Sequence, residues 1–294
     1  MKYAWITKHR DQYPVTTMCR ALGVSKSGYY KSQKAKTSSR SARTQRIIES
    51  VKLVFHKFDS IYGSYKVAEV MAEDEMLESA CRNTVAKVMQ KLGLKSRVSR
   101  KFKPRTTVID GQKRPAENLL DQDFSATKPN ERWVADITYI STRNGTAYLA
   151  AVLDLFSRKV VGWAVSENMK TTLVCRALQN ALQTRRPSKG SLIHHSDRGC
   201  QYTSDDFQRL LTEHSITCSM SSTGCCYDNA AMERFFWSLK NEWTKHENYR
   251  NIDDVRQSVF RYIETFYNNH RLHQTLGYQS PSQFEQSYNH GVAI

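Results

Sequence analysis

Paired cysteine motifs are missing from this sequence. Its seven cysteines are odd in number and irregularly spaced, Cys225 and Cys226 are adjacent, and no CxxC occurs. That excludes a disulfide framework and a zinc ribbon, and it fits a reducing cytoplasm. Long apolar runs are missing too: the longest, AYLAAVL, is far too short to span a bilayer. The opening residues, MKYAWITKHRDQ, are too polar for a signal peptide. No internal repeat or low-complexity tract stands out. Acidic residues are scarce in one place. Residues 1–105 hold 8 Asp and Glu against 23 Lys and Arg, a net charge of +15, which leaves +1 for residues 106–294. So localised an excess points to a polyanion-binding front end joined to something different.

What is present reads first as helices. In YPVTTMCRALGVSKSGYYKSQKA, TTMCRAL and KSGYYKSQK flank a GVS turn, with Ser25 placed to cap the second helix. As a helix-turn-helix over residues 1–38, this unit would put Lys26, Ser27, Tyr29 and Tyr30 near DNA. A Ser/Lys/Arg-rich link follows. Ile47, Val51, Val54 and Phe58, then Val67, Val70 and Met71, then Val85, Val88, Met89 and Leu92 carry helical spacing. Residues 39–105 therefore predict a second helical DNA-binding module, helix-turn-helix or winged. Its basic tail contains Arg97, Arg100, Lys101 and Lys103, suited to phosphates rather than bases. Residues 106–130 read as a linker.

From residue 131 the period changes. ERWVADITYIS alternates, with Trp133, Ala135, Ile137 and Tyr139 on one face and Val134, Asp136, Thr138 and Ile140 on the other. Two more strands, a helix, a short strand (SLIHHSD), a helix, a strand (SITCSMS) and an aromatic-rich helix follow. The order β-β-β-α-β-α-β-α predicts a mixed five-stranded sheet flanked by helices.

That order gives weight to three acids. Asp136 lies inside an apolar strand, where a charge is costly unless paired or bound to metal. Asp197 ends the fourth strand, where ligands collect in open α/β sheets. Glu233 opens the last helix, with Lys240 seven positions on and therefore on the same face. Three carboxylates from separate elements suit Mg2+, and a two-ion site suits in-line phosphoryl displacement with no protein nucleophile. Lys240 could then hold a phosphate.

The motifs WVADITYI, LDLFSRKVVGWA, HHSDRGCQY, DNAAMERFFWSLKNE and YNNHRLHQTLGYQSP, with 35 residues between Asp197 and Glu233, resemble the DDE transposases with a retroviral-integrase-like core. The resemblance is to the second-reading-frame (OrfB) product of bacterial insertion sequences of the insertion-sequence-three family. It covers nearly the whole chain and is strongest from about residue 131 to 285. It implies an RNase H-like catalytic core over 131–285 with a C-terminal helical extension. It also implies catalysis by Asp136, Asp197 and Glu233 with Mg2+ or Mn2+, donor-strand cleavage and strand transfer. The partners it implies are double-stranded DNA (element ends and target) and an upstream-frame (OrfA) protein or fusion. Joining two ends calls for a homo-oligomer, and the expected location is the bacterial cytoplasm, at the nucleoid.

Other polar residues have blander readings. Asp154 is expected to be a strand-end residue, Asp205 and Asp206 first-turn helix acids, and His194 and His195 packing or hydrogen-bonding groups. His270 and His273 have HxxH spacing without the cysteines of a zinc site, unlike the zinc module of retroviral integrases. Arg198 and Arg271 are candidate DNA contacts. Two alternatives stand beside the transposase: a metal-dependent nuclease on the same fold, and a non-catalytic DNA-binding regulator of transposition.

Overall fold

A computed structural model describes residues 1–33, 39–98, 116–121, 123–221 and 229–291. They fall into two units, Met1–Lys95 and Ser96–Ile294.

The first unit is all helical. Helices α1 (Lys2–His9), α2 (Val15–Ala21) and α3 (Lys26–Gln33) close around Ile6, Met18, Cys19 and Tyr29. Sequence periodicity did not single out α1, because Ile6 is its one fully buried side chain. Ser25 Oγ accepts the Gly28 amide at 3.0 Å, as expected of a cap. Tyr29 corrects an expectation. It is 2% exposed and packs toward Tyr3, so it is a core residue and not a DNA contact; its neighbour Tyr30, 46% exposed, faces out. Helices α4 (Ser39–Lys57), α5 (Ser64–Glu73) and α6 (Arg82–Lys91) bury Val51, Val54, Phe55, Val67, Met71, Val85 and Met89. Glu78, between α5 and α6, accepts hydrogen bonds from Arg43 and Arg46 on α4, each at 2.8 Å.

The second unit is built on one sheet. Its strands are β1 (Arg132–Thr142), β2 (Gly145–Asp154), β3 (Val160–Ser166), β4 (Ile193–Ser196) and β5 (Thr217–Met220), in the spatial order β3-β2-β1-β4-β5. The first three form an antiparallel meander, while β4 runs parallel to β1 and β5 parallel to β4. This mixed sheet, flanked by helices, is RNase H-like. Trp133 and Ala135 point into a core closed by α7 (Thr171–Arg185) and α8 (Asp205–Glu213). Gly162 on β3 lets α7 approach closely: a Cβ there would lie 2.3 Å from the Ala177 carbonyl oxygen and 2.6 Å from Ala181 Cβ. Part of the stretch expected to be linker lies on this unit. Leu120 is buried, the Leu119 amide donates to Ser219 Oγ at 2.9 Å, and Glu117 O accepts from the Met220 amide at 3.2 Å.

The C-terminal part ties back onto the sheet. Helices α9 (Ala230–Glu242), α10 (Ile252–Phe260) and α11 (Pro281–Asn289) come with a π-helical segment, Arg261–Tyr267. The Asn268 amide group bridges both backbone groups of Val160 at 3.0 Å, which fastens the β3 edge. Asp154, at the end of β2, is fully buried. It accepts from the Asn130 and Phe156 amides and pairs with Arg185, which also forks onto Glu285 of α11 at 2.7 and 2.8 Å. The strand-end reading of Asp154 fits this structural network.

Candidate functional site

Asp136 lies midway along β1, just past the three residues, Arg132 to Val134, that pair with β4. The next backbone contact comes from the head of α9: Asn229 Nδ2 donates to the Ala135 carbonyl at 3.1 Å, holding that helix beside Asp136. Asp197 follows the last residue of β4, and its Oδ1 accepts the Gly199 amide at 3.0 Å. A Cβ at Gly199 would stand 3.0 Å from both Asp197 Oδ1 and Gln201 Oε1, so the loop is shaped around the carboxylate. Glu233 sits in the first turn of α9 on its exposed side. Lys240, two turns on, places Nζ 4.5 Å from the centre of the Tyr139 ring on β1.

These side chains feel one another. Burial pushes Asp136 up to about 8, and the charges of Asp197 and Glu233 add to the rise; the Ile137 amide, 2.7 Å from Oδ1, and the Lys240 ammonium oppose it. Burial also raises Asp197, against the Gly199 hydrogen bond, and raises Glu233. Lys240 is lowered by burial and by Lys245, and Asp136 partly restores it. The result is a negative cluster with a cation at its rim. Among the described residues, no three acidic, histidine or cysteine side chains converge closely enough to hold a metal ion as they stand.

Beneath the cluster lie two residues whose part in the site the sequence did not single out. The Tyr202 hydroxyl is buried, has no hydrogen-bond partner among the described residues, and is held above its usual range by burial and then by Asp136 and Asp197. His194 packs against Tyr202 and Phe207, its ring nitrogens have no hydrogen-bond partner among the described residues, and burial drives it down to about 3, a neutral ring. Its neighbour His195 bridges to β5, with Nδ1 2.8 Å from Ser219 Oγ and Nε2 3.1 Å from Ser221 Oγ. Both histidines thus take the packing and hydrogen-bonding roles expected of them. The motif HHSDRGCQY contained the signal, but only the fold brings Tyr202 back under Asp197.

Matches to known proteins decide the family. The integrase core domain matches residues 126–226, a second integrase core family matches 214–281, and an HTH-like domain matches 42–102. The transposase InsF for insertion sequence IS3A of Escherichia coli (strain K12) is 40% identical, over 97% of this chain and 98% of that protein. The chain belongs to the IS3-family transposases. An uncharacterized 31 kDa protein of insertion element IS600 from Shigella sonnei is 38% identical to the transposase, over 94% of this chain and 100% of that protein. Among solved structures, a simian T-cell lymphotropic virus intasome overlaps with a TM-score of 0.46 at 17% identity, covering 81% of this chain and 74% of that one.

The transposase distributes its expected DNA contacts unevenly. Lys26, Tyr30 and Arg97 are exposed. Arg198 is partly buried and its Nε donates to the Ser221 carbonyl at 2.6 Å. Arg271 corrects an expectation: it is 8% exposed and donates through Nε and Nη2 to both oxygens of Glu242, at 2.7 and 2.6 Å, and to Ser238 Oγ at 3.0 Å. Glu242 also accepts from Tyr262 at 2.8 Å, so Arg271 is an internal partner of α9 and not a DNA contact. Arg100, Lys101 and Lys103 lie outside the described residues. No helix among the described residues is long and apolar enough to cross a membrane.

Proposed function

We propose that the transposase cleaves DNA at element ends and joins the freed ends to target DNA, with Asp136, Asp197 and Glu233 holding two divalent cations, Mg2+ or Mn2+. The observation that carries this reading is the setting of Asp136: its carboxyl is buried in β1, burial is what chiefly raises it, and the charges of Asp197 at a strand end and Glu233 on α9 are near enough to add to that rise. The donor set fits the cations: hard oxygen ligands, few in number, whose repulsion a shared cation turns into attraction. When bound, such a pair of ions supplies Lewis-acid stabilisation of the attacking and leaving oxygens.

The chain's own residues do the rest. Asn229 fixes the start of α9 against β1 and so sets Glu233 beside Asp136. Gly199 orients Asp197 through its amide. Lys240, held over Tyr139, presents its ammonium to a phosphate at the rim. Residues 1–38 and 39–105 hold the DNA, and residues 131–285 cut and join it. Assembly into a homo-oligomer supplies one active site for each end, and an upstream-frame protein or fusion is a further partner of this family.

The test is a labelled-DNA assay with the element's own ends and Mg2+. Wild type is expected to give joined products, and Asp136→Asn, Asp197→Asn and Glu233→Gln to give none while retaining end binding. Nicks without joining in the wild type would replace this reading with a nuclease. Activity unaffected by all three substitutions would remove the carboxylates from the chemistry.

A further inference from the structure

The first unit contains two three-helix modules, and their outward faces differ in kind. On α3 the exposed side chains include Lys26, Ser27, Tyr30 and Lys31. Its one amide, Gln33, donates to Thr7 Oγ1 of α1. Lysine and tyrosine on such a surface suit phosphates, which position a protein without reading sequence. Helix α6 is different. It buries Val85 and Met89, and at 3.6 residues per turn the face opposite them carries Asn83, Lys87 and Gln90, all exposed. From Asn83 to Gln90 the rise is about 10 Å, the length of about three base-pair steps. Asparagine and glutamine amides are the side chains that pair bidentately with adenine in the major groove.

The start of α6 carries a second, independent feature. The Arg82 guanidinium carbon stands 3.3 Å from the centre of the Tyr65 ring of α5, and Arg82 also donates to the Tyr65 hydroxyl. Both side chains are exposed. An exposed guanidinium at the first turn of α6 offers the donor fork that the two acceptors of guanine take. The charge of the helix and its flanks suits duplex DNA: residues 79–95 hold four Lys and Arg and no Asp or Glu.

We propose that α6 is the base-reading helix of the transposase. Arg82 reads a guanine and Asn83 and Gln90 read adenines within one major groove, while α3 serves phosphate contact. This rests on the chain's acting on duplex DNA, and it assigns sequence choice to named residues of the second module.

The experiment is selection from randomised duplexes by the full chain carrying Asp197→Asn, so that bound DNA is not cut. The expected result is a short motif containing guanine and adenine. Asn83→Ala and Gln90→Ala should each lose discrimination at one position, by about tenfold or more. Arg82→Lys, which keeps the charge but not the fork, should lose the guanine preference and keep binding to unrelated duplex. Lys26→Ala should weaken all duplexes alike. A motif that survives the α6 substitutions, or no motif at all, would overturn the proposal. All four residues are exposed, so unchanged melting temperatures separate lost reading from lost folding. The outcome is also separate from catalysis: a selected motif with no strand joining by the wild-type chain would sink the cutting-and-joining reading and leave this one standing.

Discussion

At the scale of single residues, the transposase keeps an acid where folding alone would not place one. Asp136 holds its proton up to about pH 8, whereas an unfolded aspartate loses it near 4. The folded chain therefore binds more protons than the unfolded chain between those values, and the stability this group confers is full below about pH 4 and declines as pH rises toward 8. Two outcomes follow for thermal melts without divalent cation. The difference between Asp136→Asn and wild type should widen as pH rises through that window, with the variant's melting temperature the higher at about pH 8. Added Mg2+ should restore the wild type most at the alkaline end and leave Asp136→Asn nearly unchanged. A difference between the two proteins that does not grow from about pH 4 to about 8 would contradict the assignment. Asp136, Asp197 and Glu233 each stood out in the sequence in a local pattern of its own. The places of Tyr29 and Arg271 were not legible there, since composition marks a tyrosine or arginine as capable of touching DNA but does not reveal an inward partner. Arg271 finds Glu242, 29 residues away, only through the fold.

At the scale of elements, the sheet and its helices follow the sequence closely, because alternation and helical spacing are strong in β1, α7 and α8. What the pattern could not supply is how α9 is held. Two contacts do it: Asn229 to β1 at its head, and the buried Arg271–Glu242 pair near its tail. Burial works against the Arg271 charge, and Glu242 more than offsets it. Removing one partner strands the other in the interior, so Arg271→Met should cost about 3–5 kcal/mol of stability by denaturant unfolding. The double substitution Arg271→Met with Glu242→Leu should cost clearly less than Arg271→Met alone; an equal or greater loss would show that the pair does not act as a unit. On the other side of the sheet, Gly162→Ala should cost about 1–3 kcal/mol, because its Cβ meets the α7 backbone. Helix α1 was missed for a physical reason as well: a helix that buries one residue fully leaves almost no periodic signal.

At the scale of the whole molecule, charge separates holding from chemistry. The +15 of residues 1–105 against +1 for the remainder predicts binding dominated by counterion release. Affinity for duplex DNA should fall about a thousandfold or more between about 50 mM and about 200 mM salt. Replacing Lys26 and Lys87 should make that slope shallower by about one unit each, and a slope indifferent to both would move the DNA onto the other unit.

The central claim is that Asp136, Asp197 and Glu233 form one metal site. A manganese anomalous difference map from crystals of the transposase soaked in Mn2+ addresses it most directly. The account predicts manganese density at the Asp136, Asp197 and Glu233 carboxylates, and its disappearance in Asp197→Asn. Manganese bound elsewhere, in crystals whose dissolved protein still joins DNA, would contradict it.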